Sequence, residues 1–509
     1  MTIIMKLIQY IFVIPFLMVL TGCSKFLDKQ PNSFNTEENY YQNTTQVETG
    51  VIGCYASLRD VYNIDFILAG LRSDDAYISQ SDGDINTIDF FTEETTNSYI
   101  EGYWKAAYNS IKQCNIVLKY LGNVTDPAKK IQFEGEARFI RAHMYFNLVR
   151  LFGAVPLVLN EVPYNDTIST RRIDTNIVYR QIISDFDSAI LKLPQTSSNI
   201  QIGRVNNYAA KGMLAKVYLT LGNRTKQAAY YDSSKALLLD LLNNPGPYQL
   251  LPNYTSIFGV NNEMNPEIMY AVRYQSNANG IGNFFTYDME HIAGSPGFKA
   301  ASDFRGTTPF PAADSIRKNQ TFIPLTLRSS TTGLPTTSYF TGGKYQDPSS
   351  VQNDGGNDFI VLRYADIIMM YAEVENEING NTLLTATDAT NPTSRLYQLN
   401  RIRARAAGPI PANVPVYLYN ATAVKTQASF RSTIQAERRR EFGEEDQRWY
   451  DLIRWGEPYF MTSINAHLTA VKAANLLTDD HQMLYPIPKR EIDIVANKSI
   501  LWQNPGYPQ

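Results

Sequence analysis

The stretch at residues 133–158, FEGEARFIRAHMYFNLVRLFGAVPLV, constrains the fold of this chain more than any other. Two files of apolar residues run along it at helical spacing: Phe133, Ala137, Ile140, Met144, Leu148 and Leu151, and Phe139, Ala142, Phe146 and Val149. A helix with two apolar faces has to pack between neighbours. Gly153 and Pro156 end it, because glycine accepts the left-handed conformation of a C-cap and proline cannot continue the turn. The pattern predicts a buried helix within an α-helical scaffold.

Helical patterns in the first half of the chain come in pairs, at residues 46–62 with 99–121, 129–152 with 176–193, and 206–221 with 226–242. Pairs of this size are typical of tetratricopeptide-like repeats, although a strict repeat consensus is absent. Ala209, Gly212 and Ala215 are small enough to let a neighbouring helix approach closely. The predicted fold is therefore mainly α, with tetratricopeptide-like helix-pair repeats.

The helical period disappears between residues 243 and 358, where Gly, Pro, Ser, Thr and Asn dominate and one short strand is predicted at 268–274. The segment is rich in Phe and Tyr, which argues against disorder, and irregular segments of this length in compact domains are usually functional. Helical patterns return at 361–378, 394–407 and 430–442. The sequence thus predicts a large irregular, loop-rich insertion inside the helical scaffold.

The first 22 residues have the pattern of an export signal: Lys6 precedes an apolar run at residues 7–20 that is shorter than the roughly 20 residues of a membrane span. The sequence LTGC at 20–23 resembles a bacterial lipobox, which predicts acylation of Cys23; an ordinary signal peptide with a chance cysteine is the alternative. Each buried acyl methylene contributes about 0.8 kcal/mol to membrane binding. Cys54 and Cys114 lie on predicted helices, and both a disulfide and two buried thiols are consistent with an exported chain.

Several segments resemble the SusD/RagB family of cell-surface nutrient-binding lipoproteins of Gram-negative bacteria. The stretch at 133–158 resembles the signature helix of that family, and LNRIRARAA at 399–407 resembles a later helix. IQAERRREFGEEDQRWYDLIRWG at 434–456 resembles the charged hallmark near the C-terminus, and LYPIPKREIDI at 484–494 with QNPG at 503–506 resembles the closing sequence. The resemblance covers nearly the whole mature chain.

The resemblance implies a signal peptide at 1–22 and one SusD-like domain at 23–509. Within that domain it implies N-terminal helical repeats at 23–243, the insertion at 244–360 as the candidate ligand face, and a C-terminal helical part at 361–509, with four helix pairs in all. It also implies a function: a lipid-anchored protein of the outer-membrane cell surface that binds a glycan and hands it to a SusC-like TonB-dependent transporter. No catalysis and no cofactor are implied.

Two other functions remain open at this point. A peptide ligand of the RagB type is the first, because some relatives serve peptide uptake and the insertion contains no Trp. The second is a surface glycosidase, but the adjacent Asp74 and Asp75 rarely face each other across a sugar at about 5 to 9 Å. The four histidines show no metal-ligand spacing, and the chain lacks HExxH, GxSxG and GxxxxGK[ST] motifs. A net charge of -3 and the lack of a basic run argue against nucleic acid as a partner.

The candidate ligand-binding residues lie outside the predicted repeats, because stacked helix pairs bury their apolar faces against each other. Two segments are long enough, the loop at 65–98 and the insertion, and we expect them to meet on one face. Aromatic rings there could stack on sugars while polar groups bind hydroxyls. The candidates are Asp74, Tyr77, Asp82, Phe90 and Phe91 in the loop, and Phe284, Phe285, Tyr287, Phe298 and Arg305 in the insertion.

Residues 437–448 concentrate arginines and carboxylates, a density that could indicate a catalytic or anion-binding site. We interpret the cluster as structural, because arginines next to alternating carboxylates form bidentate links between helices. Glu134, Arg138 and Arg141 on the signature helix are the expected partners.

Overall fold

A computed structural model describes residues 37–78, 83–161, 171–195, 200–277, 280–290, 298–301, 304–305, 310–311, 314–328, 335–348, 351–408, 418–495, 497 and 499–508. The predicted signal peptide at 1–22, the predicted lipidation site Cys23 and the candidate Asp82 lie outside these residues. Among the described residues, none of the helices has both the length and the apolar character that crossing a membrane would require.

Sixteen α-helices account for most of the described chain: α1 Glu37–Tyr40, α2 Thr44–Asp65, α3 Gly83–Asp89, α4 Ser98–Tyr120, α5 Pro127–Phe152, α6 Thr175–Lys192, α7 Asn207–Thr225, α8 Ala228–Asn243, α9 Phe285–Glu290, α10 Ser315–Thr321, α11 Tyr364–Asn379, α12 Arg395–Ala407, α13 Gln427–Phe442, α14 Gln447–Trp455, α15 Glu457–Ala470 and α16 Lys489–Ile494. The strands are β1 Ala76–Ile78, β2 Val155–Pro156, β3 Arg172–Ile173, β4 Ile268–Val272, β5 Phe298–Ala300, β6 Ile323–Arg328, β7 Pro335–Phe340 and β8 Phe359–Arg363.

The long helices pack as pairs, α2 with α4, α5 with α6, α7 with α8 and α11 with α12. Neighbouring pairs stack on each other through α4 and α5, α6 and α7, and α8 and α11. This arrangement confirms the mainly α fold with tetratricopeptide-like helix pairs. It includes the fourth pair, which only the resemblance implied.

The starts of the five long helices from α2 to α7 are set by short polar side chains. Each is preceded by an Asn or Asp whose side chain accepts a hydrogen bond from a backbone N–H of the first turn: Asn43, Asn97, Asp126, Asp174 and Asn206. Such a cap satisfies a donor that the helix itself leaves unpaired and contributes about 1 kcal/mol. These five helices therefore begin where the sequence supplies caps.

The signature helix α5 is the centre of the scaffold. Every residue from Phe139 to Phe152 is buried, and Gly153 ends the helix at φ 72°. Burial of Arg141 requires a partner, and its guanidinium donates two hydrogen bonds of 2.8 Å to Asp185 on α6. Arg138 binds Asp185 as well as Glu134. The prediction that these residues pair with the 437–448 cluster is wrong, because α6 lies directly beside α5 and supplies the carboxylate.

The insertion is more regular than the sequence predicted. It contributes α9, α10 and most of a four-stranded sheet with the order β1-β5-β7-β6. The predicted strand at 268–274 is β4, which pairs antiparallel with β8. The helix predicted to start at residue 361 starts at Tyr364, because FIVLR at 359–363 forms β8. A short apolar run does not reveal whether a distant strand is available to pair with it.

The charged cluster at 437–448 is a set of buried ion pairs. The Arg363 guanidinium reaches three carboxylates, with distances of 2.8 Å to Glu267, 2.7 Å to Glu441 and 2.7 Å to Glu445. These contacts link the insertion, β8 and α13 across long stretches of sequence. They confirm the structural interpretation of the cluster.

Arg438 continues this arrangement on the neighbouring face of α13. It binds Asp366 on α11 at 2.7 Å and Asp451 on α14 at 2.8 Å. Burial alone would raise the pKa of Asp366, but the charges of Lys216 and Arg438 outweigh it and hold the pKa well below its usual range. Asp366 is therefore ionised, and the charge network fixes the packing of three helices.

Candidate functional site

The loop between α2 and α4 meets the insertion in the four-stranded sheet. Strand β1, from the loop, pairs antiparallel with β5, from the insertion, and Tyr77 lies opposite Lys299. Below the sheet, the ring of Phe66 lies 5.5 Å from that of Phe298 and 6.1 Å from that of Phe285. The two segments that the sequence singled out are therefore joined by backbone hydrogen bonds and share one aromatic core.

Three of the aromatic candidates belong to the core instead of the surface. Phe285 is 0% exposed and is surrounded by the rings of Phe66, Tyr274, Tyr345 and Phe359 at 5.2 to 6.1 Å. Phe298 and Phe91 are 2% and 6% exposed, and the Arg72 guanidinium lies 4.3 Å from the Phe91 ring. The expectation that these rings offer a free face to a ligand is corrected, because each fills space between elements that are distant in the sequence.

Asp74 is also part of the buried scaffold. It is 2% exposed, and its two carboxylate oxygens accept hydrogen bonds from Arg448 Nε at 2.6 Å and Nη2 at 2.7 Å. Burial would raise the pKa of Asp74, but Arg439 and Arg448 hold it well below its usual range. The expectation of a sugar-binding carboxylate at Asp74 is corrected: it fastens the loop to α14. Asp75 pairs with Arg439 at 2.7 Å and is also 2% exposed, so both carboxylates are buried in ion pairs.

The remaining candidates differ in exposure. Tyr287 on α9 is buried at 8% exposure, which corrects the expectation of a free ring there. Phe90 is half-buried against the core, and Tyr77 and Arg305 are half-buried at the sheet. Phe284, by contrast, is 40% exposed. Among the described candidates, Phe284 is the ring with the most accessible surface.

We call Tyr77 and Lys299, two half-buried residues that lie opposite each other in β1 and β5, the sheet patch. Lys299 also lies opposite Phe340 in β7, so the neighbouring Tyr339 is on the other face of the sheet. The guanidinium carbon of Arg305 lies 4.4 Å from the centre of the Tyr339 ring, within the range of a cation–π contact. Burial raises the pKa of Tyr77, and the charge of Arg305 opposes that effect. The sequence did not single out Lys299 or Tyr339, because their position depends on strand pairing.

A second feature is an open cleft of about 430 Å³, which we call the α2–α4 cleft. It is lined by Gly53, Ala56, Ser57, Arg59, Asp60, Asn63, Asn109, Gln113, Gly280 and Gly282. Phe284 follows the two glycines, and its backbone N–H donates to Asn63 Oδ1 at 3.0 Å. The Tyr274 hydroxyl donates to the Arg59 carbonyl at 3.0 Å and holds the insertion against α2.

The chemistry of the α2–α4 cleft suits a small polar ligand with apolar faces. Asp60 supplies acceptors, Arg59 supplies donors, and the amides of Asn63, Asn109 and Gln113 supply both. Its volume falls in the range of about 300 to 1,000 Å³ that is typical of ligand sites. No group of His, Cys, Asp and Glu among the described residues is placed to hold a metal ion. Sequence reasoning missed the helical residues of the cleft, since an exposed polar position on a helix carries no signal that a loop will cover it.

Comparisons with known proteins agree with the fold. A model described as the SusD family matches residues 312–507, and one described as starch-binding associating with outer membrane matches residues 25–219. The SusD-like protein P2 of Formosa agariphila is 24% identical, and the alignment covers 96% of this chain and 98% of that protein.

Two solved structures share the architecture. A SusD homologue from Bacteroides thetaiotaomicron superposes with a TM-score of 0.76 at 21% identity, covering 92% of this chain and 98% of that one. A structure described as a laminarin-binding SusD-like protein gives a TM-score of 0.68 at 24% identity, covering 92% of this chain and 100% of that one. At these identities the superpositions establish the fold.

Proposed function

The chain belongs to the SusD family, and we propose that it is a lipoprotein of the bacterial cell surface that binds a glycan and passes it to a SusC-like TonB-dependent transporter. The observation that carries the proposal is the polar α2–α4 cleft with the exposed ring of Phe284 beside it. Two of the comparisons support a glycan as the ligand: one matching family model is described as starch-binding, and one protein of the same fold is described as laminarin-binding. The match to a family described as associating with the outer membrane supports the location.

Glycan binding at this cleft would use two kinds of contact. The apolar face of a sugar ring would stack on Phe284, whose side chain is 40% exposed. Hydroxyl groups would exchange hydrogen bonds with Asn63, Asn109 and Asp60. The sheet patch would extend the contact along a longer oligosaccharide, with Tyr77 as a further ring. No step of this process breaks a covalent bond, so we propose binding without catalysis.

Calorimetric titration of the purified protein with a panel of oligosaccharides and peptides tests this function. We expect heat from at least one glycan and no new reducing ends after prolonged incubation. If only peptides bind, the ligand is a peptide of the RagB type and not a glycan. If new reducing ends appear, the protein is a glycosidase and not only a binding protein.

The adjacent pair Phe284 and Phe285 offers a matched test of the site. Phe284→Ala should weaken glycan binding about two- to twelvefold without changing the melting temperature, because an exposed aromatic contact is worth roughly 0.5 to 1.5 kcal/mol. Phe285→Ala removes a ring from the core and should lower the free energy of unfolding by about 3 to 5 kcal/mol. Unchanged glycan affinity in Phe284→Ala would show that the glycan does not bind at the cleft. Tyr77→Ala would then test the sheet patch.

A further inference from the structure

Cys54 on α2 and Cys114 on α4 form a buried pair that the proposed binding function does not use. Both side chains are 0% exposed, and both are thiols in this structure. The sequence contains three cysteines in all, and the third is Cys23, the proposed acylation site. Sixty positions separate Cys54 from Cys114 along the chain, yet the helices that carry them form the first packed pair.

The contacts on either side of the cysteines show that they face each other. One turn along, Ser57 Oγ donates to Ser110 Oγ at 2.9 Å. One turn in the other direction, a Cβ atom placed on Gly50 would lie 3.2 Å from Val117 Cγ2. Because Ser57 follows Cys54 while Ser110 precedes Cys114, the two helices run antiparallel in this register. The γ atoms of the two cysteines are therefore neighbours, as the γ oxygens of the serines are.

The electrostatics of the pair agree with this register. The neighbouring Cys114 thiol is the largest cause that raises the pKa of Cys54, and burial is the second. A raised pKa keeps the Cys54 thiol protonated and unreactive once the helices have packed around it, because the thiolate is the reactive form. Any oxidation of the pair has to take place during folding, before α2 and α4 pack together.

We propose that Cys54 and Cys114 form a disulfide between α2 and α4 in the exported protein, an inference that relies on the cell-surface location in the proposed function. The oxidant would be a protein disulfide of the thiol-oxidase class, which is typical of exported compartments. The Sγ–Sγ bond forms as the two thiols lose two protons and two electrons, and the disulfide of the oxidant is reduced to a dithiol.

The proposed disulfide has a consequence for the α2–α4 cleft. Gly53 and Gln113, which line the cleft, are the sequence neighbours of the two cysteines. A covalent bond at this position fixes the spacing of the two helices that form the cleft floor. It also closes a chain segment of about 60 residues, and constraints of that length stabilise mainly by limiting the unfolded chain. The disulfide therefore links the redox state of the compartment to the geometry of the candidate site.

Counting the free thiols of the wild-type protein tests the inference. It needs no substitution, so misfolding of a variant cannot affect the result. Protein isolated from outer membranes is denatured and treated with maleimide-polyethylene glycol, with and without prior reduction. We expect no labelled thiols before reduction, two after it, and a peptide pair joined through Cys54 and Cys114 in the mass spectrum. Two labelled thiols without reduction would overturn the proposal.

Refolding in a glutathione redox buffer tests whether the two cysteines can form a disulfide, independently of where the protein is located in the cell. The reduced chain should reoxidise to one intramolecular disulfide, and the oxidised form should melt on the order of 4 °C above the reduced form. Cys114→Ala is the matched control, because reductant should not change its melting temperature. Failure to form the disulfide in this buffer would contradict the geometry, whereas glycan titration of the same samples reports separately on the proposed function.

Discussion

Arg438 shows how individual charged residues hold the C-terminal half of the molecule together. Its guanidinium is 2% exposed and is shared between Asp366 on α11 and Asp451 on α14. A buried charge of this kind is tolerated only because each partner is also paired. The density of Arg and Glu in this segment therefore serves packing, and a ligand has no access to it.

We predict that Arg438→Ala lowers the free energy of unfolding by about 3 to 5 kcal/mol, because it removes one of the two cations that pair with each of two buried carboxylates. Glycan affinity of the folded fraction should be unchanged. Thermal or denaturant unfolding beside calorimetry measures both quantities. Arg431→Ala is the matched control on the same helix: its pair with Glu377 is 40% exposed at the arginine, so its loss should cost at most about 1 kcal/mol. Lost binding with unchanged stability in Arg438→Ala would make the cluster a ligand site.

The four-stranded sheet is the element that joins the loop after α2 to the insertion. Strand β1 is only three residues long, and its pairing with β5 is reinforced from α3, where Asp89 accepts the Ile78 N–H at 2.9 Å. Asp89 is 1% exposed, and burial raises its pKa to about 8. A carboxyl group that stays protonated at neutral pH thus supports the strand that carries Tyr77.

The raised pKa of Asp89 predicts a pH dependence of stability. The folded state holds the proton more tightly than the unfolded state, whose Asp pKa is about 3.9. At a pH between the unfolded-state pKa and the folded-state pKa of about 8, unfolding releases the Asp89 proton. The contribution of the Asp89 carboxyl to stability therefore falls as the pH rises and is lowest above pH 8. Asp89→Asn keeps a carbonyl acceptor for Ile78 without the charge.

Melting curves of the wild type and Asp89→Asn at pH 5 and pH 9 measure this effect. We expect the Asn variant to gain stability relative to the wild type between the two values, with the largest advantage at pH 9. A constant difference between the two proteins across this range would show that Asp89 titrates near its ordinary pKa.

At the scale of the whole molecule, four helix pairs form the scaffold, and the candidate ligand-binding features lie at one part of it. The α2–α4 cleft and the sheet patch both involve the insertion and the segment around the first helix pair. Stacked helix pairs gain stability from contacts between neighbours, so the scaffold tolerates a long insertion. The proposed lipid anchor would hold this body at the membrane through the chain before α1.

We predict that Cys23→Ala releases the protein from the outer membrane. Two or three acyl chains, at about 0.8 kcal/mol for each buried methylene, hold a protein on a membrane almost permanently, and the variant has no attachment point for them. Membrane fractionation and palmitate labelling measure the change, with Cys114→Ala as a control that keeps the anchor. A Cys23→Ala protein that stays in the membrane fraction and still incorporates palmitate would contradict acylation at this residue.

The helix pairs were predictable because they depend on local chemistry. Apolar spacing of 3.6 residues marks each helix, and Asn or Asp caps mark where most of them start, so neither signal requires knowledge of distant residues. The same holds for the buried signature helix and for its end at Gly153. Local pattern and family resemblance together determined the fold class, and with it the two segments in which to look for a site.

The candidate site was decided by contacts between distant residues. Phe284 and Phe285 are adjacent and chemically identical, yet one is 40% exposed and the other is fully buried, because Tyr345 and Phe359 close over only the second ring. Asp74 became part of the scaffold because α14 brought Arg448 to it. The α2–α4 cleft forms where the segment with Gly280 and Gly282 lies beside polar residues of α2 and α4. The sequence pattern does not distinguish these helix positions from other exposed ones. Sequence by itself determined what each segment prefers locally, whereas only tertiary packing decided which side chains remained available to a ligand.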